Sequence, residues 1–225
     1  GFHRYLDVVC ECDGVVTISK SVADELAEWM KGKTWVRQRA FTIDWNHLGA
    51  DIQASYTRVM HQNEVQPVVF GHQNRMTFLM VGTVEPHKGH EQVLSSVEQL
   101  WQANHDINLV IVGKQGWHVE HFVEKLRNHP ERDKHLFWFE DCSDEKLEQI
   151  YRQSTCLIAA SYGEGFGLPL IEAAQNKLPI IARDIPIFRE VAGEYAYYFD
   201  NKDPAALVVA IQGWLSLYQS NNHPR

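Results

Sequence analysis

The chain lacks any apolar run approaching the roughly 20 residues of a membrane span. It also has few cysteines and no excess of basic charge. Each shortage excludes something. No transmembrane helix is expected, and the first residues carry no secretory signal pattern. Four cysteines among 225 residues do not make a disulfide framework. Cys10 and Cys12 form a C-x-C pair with no second pair to complete a zinc site. Cys142 and Cys156 stand alone in apolar surroundings and read as core or near-core thiols. A reducing cytoplasm is the expected compartment. The formal charge of −8 argues against nucleic acid as a partner, because such binding draws on a basic surface to release counterions. Internal repeats and low-complexity tracts are missing as well.

What is present describes a packed globule. Hydrophobic residues make up 44% of the chain, with seven tryptophans, and the length suffices for one sizeable α/β core. From about residue 77 a strand–helix rhythm repeats. The apolar runs 77–81, 107–112, 135–139, 155–161, 179–182 and 195–199 read as strands. Between them lie helical stripes: Val93, Leu94, Val97, Leu100 and Trp101; Val119, Phe122, Val123 and Leu126; Leu147, Ile150 and Tyr151 behind a Ser143 cap. Asp203-Pro204 starts a last helix with Leu207, Ala210, Ile211 and Trp214 facing inward. This pattern predicts an α/β fold, a parallel Rossmann-like sheet with helices on both faces. Ligands of such sheets bind beyond the carboxyl ends of the strands.

Residues 1–54 are less regular, with a strand over 14–19, a helix from Ser21 and an extended piece over 34–43. One strand and one helix cannot bury themselves, so this stretch is expected to be the tail of another domain or a flap docked on the main one. Residues 55–74 read as a linker, and 75–225 as the ligand-binding domain.

The run Gly163-Glu164-Gly165-Phe166-Gly167-Leu168-Pro169-Leu170-Ile171-Glu172 carries the most chemistry. It follows an apolar strand and opens a helix. Its glycines let the backbone approach a ligand, and proline suits a first helical turn. Free amides at a helix start favour an anion, above all phosphate. Two carboxylates bracket the cradle, and carboxylates grip hydroxyl groups. A nucleotide sugar combines both features. A second turn, Gly82-Thr83-Val84-Glu85-Pro86-His87-Lys88-Gly89, ends the strand at 77–81.

These two stretches resemble the retaining glycosyltransferases of the two-Rossmann-domain (GT-B) architecture, specifically family 4, also called group 1. The first resembles the family's strand-turn ending in Lys-Gly, and Glu164 through Glu172 its E-x7-E element. The resemblance covers about residues 77–200, the nucleotide-sugar half. It implies that Lys88 neutralises the donor diphosphate and that Gly167 and Leu168 offer amides to it, with Gly165 and Phe166 completing the corner. It further implies that Glu172 binds ribose hydroxyls and that Glu164 holds the transferred sugar near the reacting carbon, making Lys88 and Glu164 the catalytic pair. Thr83 and His87 stand where many relatives have an arginine, so His87 is the candidate second cation.

The same resemblance implies a hexose donor without a metal or other cofactor, GDP-mannose before a UDP-sugar. The acceptor is then a glycan or glycolipid of a surface polysaccharide such as an O antigen, reached through a preceding domain. Peripheral attachment of the parent protein to the inner face of a membrane follows from such an acceptor. Base recognition falls near Phe139 to Cys142 and the Gly113 turn.

Two other functions start from the same residues. A non-catalytic nucleotide-sugar binding module needs only the cradle. A nicotinamide oxidoreductase is suggested by Gly163-x-Gly165 with Asp184 about 20 residues on, but Leu168 occupies the third glycine position. His118, Glu120 and His121 do not have the H-E-x-x-H spacing that sets two imidazoles on one helical face, so they read as surface residues. Trp117, after Lys114-Gln115-Gly116, reads either as a nucleotide-pocket wall or as core.

Overall fold

The computed structural model describes residues 2–9, 11–31, 40–49, 70 and 75–224. Cys10, residues 34–39 of the expected extended piece, and all of the expected linker except Phe70 lie outside the described residues.

Six parallel strands form the central sheet: β3 (Met76–Val81), β4 (Ile107–Val112), β5 (Leu136–Phe139), β6 (Cys156–Ala159), β7 (Ile180–Arg183) and β8 (Ala196–Phe199). Their spatial order is β5-β4-β3-β6-β7-β8. The interleaved helices are α3 (His90–Gln102), α4 (Glu120–Arg127), α5 (Asp144–Gln153), α6 (Leu168–Gln175), α7 (Pro186–Ala192) and α8 (Pro204–Gln219). Strand side chains alternate between faces. Phe78, Met80, Leu109 and Ile111 join one core with the stripes of α3, α4 and α8. Leu79, Val110 and Val112 join the opposite core with α5, α6 and α7. Every residue of β4 is buried, as a strand covered on both sides requires.

The expected caps are present. The Ser143 hydroxyl accepts the Lys146 amide at 3.3 Å, and the Asp203 carboxylate accepts the Ala205 amide at 2.9 Å ahead of Pro204. Residues 129–135 form the turn segment between α4 and β5, with 130 and 132–134 exposed. His129 is nearly buried with Nε2 2.9 Å from Glu98, and His135 lies 2.7 Å from Glu131 and 3.2 Å from Asp106. Carboxylates on neighbouring elements hold these rings in place.

The amino-terminal residues form a separate small unit. Helix α1 (Phe2–Val9), which the sequence pattern did not suggest, precedes strand β1 (Gly14–Thr17), helix α2 (Lys20–Lys31) and strand β2 (Thr42–Trp45). β1 and β2 pair in parallel, apart from the six-stranded sheet. This piece sits on the larger unit where α2 meets α7.

Candidate active site

β3 and β6 are neighbours at the centre of the sheet, and the chain leaves them toward opposite edges. A crevice opens at such a switch point, beyond the strands' carboxyl ends. Both glycine-rich turns emerge there. After β3, residues Pro86–Lys88 make a single tight turn, and Gly89 follows in the left-handed region at φ 76° before α3 begins. A Cβ on Gly89 would stand 2.3 Å from the Ala160 carbonyl oxygen, so glycine alone lets this turn pack on the end of β6. The Tyr162 amide donates to the His87 carbonyl at 2.8 Å and stitches the turns together.

After β6, Gly167 takes φ 93° as the residue capping α6, and Pro169 lies in the first turn. Phe166 is buried in the core and pins the middle of the corner, while Leu168 is 41% exposed. The first amides of a helix have no intrahelical partner, so those around Gly167 and Leu168 give the corner its attraction for anions.

Side chains complete the site. The Lys88 ammonium lies 2.5 Å from Glu164 Oε1, with both side chains largely shielded from solvent. The Ser161 hydroxyl donates to the same oxygen at 2.8 Å. Lys88 and Glu164 thus neutralise each other, which avoids a shielded, uncompensated charge. Further along α6, half-buried Glu172 accepts a hydrogen bond of 2.6 Å at Oε2 from the Tyr151 hydroxyl of α5. A small pocket under the ion pair is bordered by Ser161, Gly167, Pro169 and His90. Both ring nitrogens of His90 are buried without a partner. Burial, helped by the nearby charges of Lys88 and His87, pushes its pKa down to about 3, so the imidazole is neutral.

The structure therefore gathers Lys88, Glu164, Gly165, Phe166, Gly167 and Leu168 at one corner, with Glu172 on the adjoining helix. Thr83 is exposed on the facing turn, and His87 is half-exposed with Nδ1 3.5 Å from Glu85. The two regions expected to read the base adjoin, since the Gly113 amide donates to the Phe139 carbonyl at 3.0 Å. Trp117 is 57% exposed, which removes the core-packing reading. Both Asp184 oxygens take hydrogen bonds from Arg189 at 2.7 Å, so the acid that suggested nicotinamide binding is already engaged. Among the described residues there is no cluster of metal-ligating side chains, and no helix is long and apolar enough to cross a membrane.

Sequence reasoning missed Ser161 and Tyr151 as site residues. Tyr151 was visible only as part of a helical stripe, because nothing local to it reveals that its hydroxyl meets Glu172. It also missed Glu190 of α7, whose carboxylate takes four polar contacts from the amino-terminal piece. Burial alone would raise its pKa, but hydrogen bonds from Ser21, His47 and the Lys20 and Ser21 amides hold it down at about 2.

A parallel sheet of this order, with helices on both faces and a crevice at its switch point, is of the Rossmann-like type. The family model described as "Glycosyl transferases group 1" matches residues 62–225, and the chain belongs to that family. It is 47% identical over its whole length to the serotype-specific mannosyltransferase WbdA of Escherichia coli, and spans 28% of that protein. The O-antigen chain mannosyltransferase RfbU of Salmonella typhimurium is 27% identical over 91% of this chain and 51% of its own length. Among solved structures, the E. coli trehalose-6-phosphate protein bound with UDP-2-fluoro glucose superposes with a TM-score of 0.70 at 14% identity. That superposition covers 96% of this chain and 56% of the other. The pneumococcal O-GlcNAc transferase GtfA, in complex with UDP and GlcNAc, gives 0.66 at 19% identity, over 98% and 41%. These likenesses show the fold, one of GT-B glycosyltransferases.

Proposed function

We propose that this chain is the donor-binding half of a retaining hexosyltransferase that moves mannose from GDP-mannose onto a growing O-antigen-type polysaccharide. One observation carries the reading: Lys88 and the amides of the α6 start converge on one corner at the switch point, with Glu164 between them. As the glycosidic bond breaks, the leaving diphosphate gains negative charge, and fixed donors aimed at it stabilise the transition state. Lys88 swings from Glu164 to the diphosphate, and Glu164 is released to the hydroxyls of the sugar. Tyr151 holds one oxygen of Glu172, and the other takes the ribose hydroxyls.

Lysine and helix start supply the countercharge, so the donor needs no metal and chelation leaves its affinity unchanged. Residues 1–54 are then the end of the acceptor domain, 55–74 the linker and 75–225 the donor domain. The parent works in the cytoplasm or at the inner face of a membrane, where a glycan or glycolipid acceptor is presented. The relatives' names support this, since one is a serotype-specific mannosyltransferase and the other an O-antigen chain mannosyltransferase.

Titration of the chain with GDP, UDP and ADP tests the donor class; GDP should raise the melting temperature most, because a ligand that binds only the folded state stabilises it. In the parent protein, Glu164→Gln should retain GDP binding while mannosyl transfer falls at least a hundredfold. Transfer at the wild-type rate by that variant removes Glu164 from the chemistry.

A further inference from the structure

The amino-terminal piece touches the larger unit at two places that bear directly on the glycine corner. The first is Ser19, fully buried at the start of α2. Its hydroxyl donates to the Gly165 carbonyl at 2.8 Å and accepts the Val22 amide at 3.2 Å, so one group caps α2 and holds the peptide between Gly165 and Phe166. The neighbouring Ile18 side chain lies so near Gly165 that a Cβ there would come within 2.8 Å of its Cδ1. The second is Glu190. Its Oε1 accepts the Lys20 amide at 2.8 Å, and its Oε2 accepts the Ser21 amide at 2.7 Å and the Ser21 hydroxyl at 2.6 Å. His47 Nε2 stands 2.7 Å from Oε1, and the His47 ring lies 5.3 Å from the ring of Phe166.

Together these contacts satisfy the first amides of α2 by groups outside the helix, which ordinary helices leave to water or to a local cap. A carboxylate at a helix start also meets the positive end of the helix dipole. The consequence runs both ways. Helix α2 is finished only when docked on Glu190, and the Gly165 carbonyl is fixed only when Ser19 is docked beside it. The Phe166 amide keeps one orientation when that carbonyl is held, because the N–H and C=O of one peptide turn together.

We propose that Ser19 and Glu190 are positioning residues of the donor site: they latch the amino-terminal piece onto the glycine corner and fix the Gly165–Phe166 peptide that leads into the amides assigned to the diphosphate. The ligand half of this statement rests on the donor reading given above; the latch itself does not. Because docking and ligand occupancy share one peptide conformation, each favours the other, and that coupling is reciprocal.

The test is hydrogen exchange of the whole chain, wild type against Ser19→Ala and Glu190→Ala, with and without GDP. Without ligand, both variants should exchange the Phe166 amide at least tenfold faster than wild type, at an unchanged melting temperature of the six-stranded unit. Both should raise the Kd for GDP at least fivefold. GDP should slow exchange across 20–31 in wild type and not in Ser19→Ala, a response that mere packing would not produce. Glu190→Gln, which keeps the side chain's volume and one acceptor oxygen, should fall between wild type and Glu190→Ala. The latch is overturned if Glu190→Ala accelerates exchange across 20–31 while the Phe166 amide and GDP affinity stay at wild type. Wild type that binds no nucleoside diphosphate sinks the donor reading instead, and the ligand-free exchange still decides the latch.

Discussion

The six-stranded unit and the amino-terminal piece fold by different means. In the larger unit, stripes from six helices close two apolar cores over a sheet whose strands β4 and β7 are wholly buried. In the piece at residues 2–49, the short strands β1 and β2 show mostly exposed or half-exposed residues, and Val16 is 67% exposed. Its hydrogen bonds to the rest run through Ser19, Ser21, His47 and the backbone of Lys20, beside the contact of Ile18 with Gly165. Burial supplies most of the stability of a folded unit, whereas hydrogen bonds supply mainly direction. The glycine corner lies between the two. Its shape is anchored from one side by buried Phe166 and Phe188 and from the other by a serine hydroxyl.

The sharpest way to break the comparison is to remove a core side chain. Trp214 is fully buried, edge-on to Phe78 at 5.8 Å and stacked on Tyr218 at 4.9 Å. Trp214→Ala should cost the larger unit about 3–5 kcal/mol in chemical unfolding, the usual range for a lost core aromatic. No single substitution in residues 11–49 should approach that. An unfolding midpoint unmoved by Trp214→Ala would remove the claim that this core carries the fold.

Acid separates the two regions next. His90 has its pKa lowered to about 3 from an ordinary 6.5, so the unfolded chain binds its proton first. Stability from this group is full above pH 6.5 and falls as pH drops toward 3, at about 1.4 kcal/mol per pH unit. Glu190 has its pKa lowered to about 2 from 4.5. Its contribution is complete above pH 4.5 and is lost as pH falls through 2. The larger unit should therefore begin to weaken at a pH where the docked piece still holds. Unfolding measured from pH 7 to 4.5 should show the slope in wild type and lose it in His90→Phe; an identical slope in both would assign the acid sensitivity elsewhere.

The same contrast explains what the sequence revealed. The strand–helix rhythm from residue 77 was legible because apolar period and length are local properties, and the stripes at Val93, Phe122 and Trp214 fall inward as their spacing indicates. The corner was legible because Gly167 and Pro169 declare a strand-to-helix turn by their own conformational limits. The pairing of Tyr151 with Glu172, and of Ser161 and Lys88 with one oxygen of Glu164, was not. Tyr151 with Glu172 and Lys88 with Glu164 join residues from different elements, whose meeting no local pattern encodes; Ser161 reaches Glu164 within one turn, three residues away. Glu190 is the extreme case: its partners lie about 170 residues away, and alone it is one more helix carboxylate.

At the corner, charged side chains and backbone can be told apart by substitution. Lys88→Ala and Glu172→Ala should each weaken GDP binding tenfold or more, about 1.4 kcal/mol or above. Lys88→Ala also leaves Glu164 without its partner, so part of the loss comes from repulsion between that carboxylate and the phosphates. The double variant Lys88→Ala with Glu164→Gln should recover some of it. Calorimetric titration showing wild-type affinity in both single variants would count decisively against these roles.

Leu168 should respond least, for a reason that sharpens the contrast between side chain and main chain. Its side chain is exposed, and its assigned part is an amide in the first turn of α6, after left-handed Gly167. Leu168→Ala keeps that amide and removes only exposed carbons, so GDP affinity should stay within about twofold, ~0.4 kcal/mol. Leu168→Pro removes the N–H from a helical position where proline is otherwise well tolerated. That variant should therefore keep its melting temperature yet lose affinity, and equal binding by Leu168→Ala and Leu168→Pro would show that the corner holds its anion without this amide.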